Sequence, residues 1–140
     1  MTKKTNNDVL NDSTFLSQFE NGSLSPEHFD HIGHLRIAWL HIEKFGKQEA
    51  IKRVCTGIKA YAESLGANDK FHHTITCALV AIMATRISRF QIKTWDSFLN
   101  TNPDLVNDAL GVLYQYFTKE RLHSEKAKQT HIEPDLKKIN

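Results

Sequence analysis

Apolar residues recur at helical spacing through the first ninety positions of this 140-residue chain, with Gly22, Gly46 and Gly66 dividing the pattern into segments. At 3.6 residues per turn, Leu35, Ala38, Ile42 and Phe45 form one stripe of a segment over 26–45. Ile51, Val54, Ile58, Ala62 and Leu65 do the same over 47–65, and Ile75, Leu79, Ile82, Met83 and Phe90 over 71–90. Thr74, Ile75, Thr76 and Val80 give the last segment some strand character, but the length of its pattern argues for helix. A short helix is expected over 13–20, capped by Asp12 or Ser13 and stopped by Gly22. Downstream, 95–99, 105–117 and 124–131 read as short helices separated by Asn-Pro, Thr-Lys and Glu-Pro breaks. No hairpin signal or repeat competes with this reading. The pattern predicts an all-α protein: a compact helical bundle with short C-terminal helices and a wrapped tail, one domain over 13–140 behind a flexible leader over 1–12.

A hydrophobic fraction of 40% is enough for a real core. The formal charge of +2, from 18 basic and 16 acidic residues, steers weakly toward any charged partner. The aromatic residues follow helical periods and do not alternate with Lys or Arg, so no nucleic acid partner is expected. There is no apolar run long enough for a membrane span and no signal-peptide apolar region at the start, which makes the cytoplasm the expected location. Cys55 and Cys77 both fall among apolar neighbours on predicted helices, outside any tight metal spacing. They read as buried free thiols more readily than as a disulfide.

Two histidine pairs stand at or near helix starts. His31 and His34 are three apart, so they share a face, and the wheel puts Ala38 and Ile42 each about 20° from His31. His72 aligns with Leu79, Met83 and Phe90, with Thr76 one turn on and Arg86 about 40° off that line. His73 turns toward the flank. Buried imidazoles need hydrogen bonds or a metal. If the two helix starts meet, His31, His34 and His72 supply three nitrogens to one transition metal (Zn, Fe or Cu), with water, His73 or a carboxylate in the fourth position. The plainer alternative is that backbone carbonyls satisfy each ring separately. His41 reads as structural, and His28 as a first-turn surface residue. Thr76 is a candidate hydrogen-bond donor near His72, or a side chain bonded to its own i−4 carbonyl. Arg86 would hold an anionic substrate or a carboxylate such as Asp96. In the proline-stiffened close of the chain, Glu133 or Asp135 is a candidate outer-sphere partner for a histidine, and Arg121 can pair with either acid.

The segments HIGHLRIAW (31–39), FHHTIT (71–76), FTKERLHSEKA (117–127) and IEPDL (132–136) resemble a family of small bacterial helical proteins of unassigned function. In that family the second motif usually begins with tyrosine and carries glutamate after its first histidine; here Phe71 and His73 stand there. The resemblance adds weight to His31, His34 and His72. It implies that a site short of that carboxylate favours a softer ion than manganese. It implies no particular reaction.

Three readings follow. The first is a small metal-dependent enzyme with an open coordination position between two helices. The second is a carrier or sensor of a metal or small-molecule ligand, with a closed centre. The third is a metal-free interaction module whose Leu105, Leu110 and Tyr114 would form a homodimer surface.

Overall fold

The structure is a computed structural model that describes residues 10–139. Among the described residues there are nine α-helices and no strand. Four of them build the body: α1 (Asp12–Asn21), α2 (His31–Phe45), α3 (Lys47–Ser64) and α4 (His73–Arg89). Five short ones follow: α5 (Trp95–Thr101), α6 (Pro103–Asn107), α7 (Ala109–Leu113), α8 (Lys119–Leu122) and α9 (Glu125–Gln129). None of the helices is long and apolar enough to cross a membrane.

Local chemistry sets the boundaries. Asn11, not Asp12 or Ser13, caps α1, its Oδ1 accepting from the Thr14 N–H at 2.8 Å. Gly22 ends that helix at φ 80°, a conformation open to glycine at no steric cost. The helix expected over 26–45 is shorter at its start. Pro26–His28 forms a separate 3₁₀ turn, and Asp30 restarts the chain as the cap of α2 by accepting from Gly33 N–H at 2.8 Å. The segment expected over 105–117 is two helices. Asp108 interrupts it by capping α7 through the Gly111 N–H at 3.1 Å. Of the leader expected over 1–12, residues 1–9 lie outside the described residues. Residues 10–12 belong to the folded unit: Leu10 packs on the core, and the buried Arg36 donates to Leu10 O at 2.7 Å and to Asp12 at 2.9 Å.

Helix α3 packs against α2 on one side and α4 on the other, and α4 also meets α7 and α9. The core is continuous from Phe15 and Phe19 through Leu35, Ile37, Ile82 and Met83 to Phe98, Leu113 and Leu122. Each such side chain contributes about 1.5–3 kcal/mol by leaving water. Leu105 is part of this core and fully buried, which corrects its expected place on a homodimer surface; Leu110 is exposed.

The tail folds back over the bundle and is fastened at several points. The buried Thr74 hydroxyl, near the start of α4, donates to Thr130 O at 2.8 Å and accepts from Ile132 N–H at 3.2 Å. Asp135 accepts from both the N–H and the hydroxyl of Thr118, each at 2.8 Å. Leu136 N–H donates to Tyr116 O at 2.9 Å.

Candidate metal centre

The four histidines expected to converge are divided between two clefts on opposite flanks of α4's first turn. His31, His34 and His72 line a cleft of about 500 Å³ with Leu35, Ala38, Met83 and other apolar side chains. His73 lines a larger cleft of about 1030 Å³.

In the smaller cleft, backbone carbonyls take much of the imidazole capacity. His72 is the cap of α4, not a residue of its interior. Its Nδ1 accepts from Ile75 N–H at 3.1 Å, so Nε2 carries the proton and donates to Leu122 O at 2.8 Å. Both nitrogens are engaged, so in this arrangement His72 offers none to a metal. His31 Nε2 donates to Leu105 O at 2.8 Å, and His34 Nδ1 to its own i−4 carbonyl, Asp30 O, at 2.8 Å. Each keeps one acceptor nitrogen. His31 is exposed, whereas the wheel put it on the buried face. His34 packs against the Phe29 ring with centroids 4.0 Å apart.

The remaining expectations resolve one by one. The Thr76 hydroxyl donates to His72 O at 2.8 Å, its own i−4 carbonyl. Arg86 holds a carboxylate, but that of Asp104, in a two-pronged pair at 2.8 and 2.9 Å, with Asn102 Oδ1 at 3.0 Å; Asp96 is not its partner. This guanidinium keeps the Asp104 carboxyl below its ordinary pKa. Asp135 anchors Thr118, the cap of α8, and has no histidine partner among the described residues. His41 is structural, donating to Ile37 O at 2.8 Å, and His28 is buried, not a surface residue.

The larger cleft holds what the sequence reading missed. Cys55 on α3 and Cys77 on α4 are joined as a disulfide, with Cα atoms 6.1 Å apart. They are not the free thiols expected. One ring nitrogen of His73 lies within 4.8 Å of both sulfurs. Among the described residues this is the one group of three or more His, Cys, Asp or Glu side chains with ligand atoms so close together. The sulfurs are buried and the imidazole half-buried. Two spacings produce the cluster. His73 and Cys77 are four apart on α4 and share a face, and the packing of α3 on α4 brings Cys55 to it. The i, i+4 pair was legible in the sequence. A wheel centred on His72 hides it, because Cys77 lies about 140° from that residue.

Such a cluster is capable of coordinating a transition metal ion. Two thiolates and an imidazole match the soft to borderline preferences of Zn²⁺ and Cu⁺. Around a tetrahedral ion with Zn–S bonds of about 2.3 Å, two sulfurs stand about 3.8 Å apart, so only the reduced pair can ligate. Lys47, Lys52 and Lys59 line the same cleft. Burial, with His131 and Lys59 nearby, lowers the pKa of His73, which keeps its nitrogen available to a metal.

Burial likewise holds His34, His41 and His72 below their ordinary value of 6.5. The folded state therefore prefers all four rings neutral. Below pH 6.5 the unfolded chain takes up protons first, so their contribution is complete above that pH and is lost as the pH falls through the lowered folded values. The urea midpoint should be lower at pH 5 than at pH 7.5; equal midpoints would contradict the assignment.

Comparison of the chain with protein-family models, with curated proteins and with solved structures finds no match to it.

Proposed function

We propose that this protein binds a transition metal ion, Zn²⁺ before others, through Cys55, Cys77 and His73 when the cysteine pair is reduced, and that its disulfide is the oxidised, metal-free form. The observation that carries the reading is the approach of three ligand atoms to within 4.8 Å of one another across the α3–α4 contact. A thiol donor gives two electrons and two protons to the disulfide, becoming a disulfide itself, and the ion then displaces both thiol protons. Two negative sulfurs balance the dication, so a buried, nearly neutral centre results. Binding and release by a dithiol–disulfide exchange suit a carrier or sensor.

Competition against a chromophoric zinc chelator tests this. Phosphine-reduced protein should take up one equivalent with an affinity of about 10 kcal/mol or more, a Kd below about 50 nM. Oxidised protein should take up none. Equal uptake by both forms, or none by the reduced one, overturns the reading.

The smaller cleft favours a second reading for its own site. His31 Nδ1 and His34 Nε2 carry no hydrogen bond among the described residues, and they border an apolar space of about 500 Å³. That combination suits a small apolar molecule bearing an O–H or N–H donor. It keeps His31 and His34 as binding residues.

A further inference from the structure

Resting on the metal reading of Cys55, Cys77 and His73, we infer that the tail supplies a fourth ligand, His131, so that the ion closes the C-terminal strap onto α3 and α4. The placement comes from Thr74. This buried residue follows His73 directly and fixes the backbone on both sides of His131, through Thr130 O at 2.8 Å and Ile132 N–H at 3.2 Å. The backbone at His131 is thereby held against Thr74, the residue that follows His73. His131 lines the same cleft as His73 and both cysteines.

The second nitrogen of His131 is also provided for. Nε2 stands 3.4 Å from Glu133 Oε1. A carboxylate beside Nε2 leaves Nδ1 for the ion, the usual outer-sphere arrangement of a metal-bound imidazole, and Glu133, itself exposed, can follow the ring. Arg121 steadies this turn by donating to Glu133 O at 2.7 Å. The imidazole of His131 is about half exposed, so it can swing to the ion without disturbing the core. The resulting set is two thiolates and two imidazoles, tetrahedral and closed. A closed set marks holding or sensing an ion, since a catalytic centre keeps a position open.

Cobalt reports both levels separately. Phosphine-reduced full chain, titrated with Co²⁺ under anaerobic conditions, should develop thiolate-to-metal charge-transfer bands and the intense d–d bands of a tetrahedral site. His131→Ala should keep the charge-transfer bands, bind at least about 10-fold more weakly, and shift its d–d bands as water enters. His131→Cys should restore the affinity and intensify the charge-transfer bands. Metal should protect the Ile132 amide against hydrogen exchange in the wild type and not in His131→Ala. Identical affinity and spectra for wild type and His131→Ala overturn the role of His131 alone. Absence of thiolate bands from the wild type overturns the cysteine centre, and this inference with it.

Discussion

Serine at either Cys55 or Cys77 should abolish tight metal binding, weakening it by more than about 100-fold. Loss of an outer-sphere partner already costs about 10–100-fold, and here an anionic ligand is lost from the ion itself. The geometry makes the effect symmetrical, because one sulfur comes from each of two helices and neither has a neighbouring cysteine to replace it. His73→Ala should fall between the single cysteine variants and the wild type, since its imidazole is neutral. Chelator competition on the reduced variants, with circular dichroism to establish that each remains helical, measures this. A cysteine variant that retains wild-type affinity would place the ion elsewhere.

Reduction should destabilise the metal-free protein by about 3 kcal/mol, and zinc should return nearly all of it. The disulfide links positions 22 residues apart. In the chain-entropy account, a loop of that size restricts the unfolded ensemble by about 3 kcal/mol. Free zinc at a hundred times its Kd restores about 2.7 kcal/mol, because it binds the folded state. The two closures are alternatives at one place in the fold, so their effects should replace one another and not add. Urea unfolding of oxidised, reduced, and reduced zinc-loaded protein gives all three values. A Cys55→Ser, Cys77→Ser double variant should respond to neither reductant nor zinc. Full stability of the reduced, metal-free wild type would show that the α3–α4 contact needs no cross-link.

Much of the scaffold was legible in the sequence, for identifiable reasons. Gly22 and Gly46 end helices where periodicity breaks, and Leu35, Val54 and Met83 face the core, whereas Leu65 and Phe90 at the ends of their stripes are exposed. The tail wraps the bundle as its Glu-Pro-Asp close implied. What local spacing does not carry is which helices pack together. The pairing of Cys55 with Cys77 depends on the α3–α4 contact, and no spacing rule links positions 22 apart. His72 departs from its expected place for another reason. A histidine one residue before a helix has the periodicity of a core position, yet its nitrogen serves the free N–H of the first turn instead. The histidine pairs pointed to a region where chemistry is concentrated. They were grouped by adjacency in sequence, whereas the fold separates His72 from His73 and joins His73 to two sulfurs.

The central claim is that sulfur from both helices meets nitrogen at one ion. X-ray absorption at the zinc edge, on reduced protein loaded with one equivalent, addresses it directly. The account predicts two sulfur neighbours at about 2.3 Å and nitrogen neighbours at about 2.0–2.1 Å, with imidazole outer-shell scattering. A first shell of nitrogen and oxygen alone would contradict it.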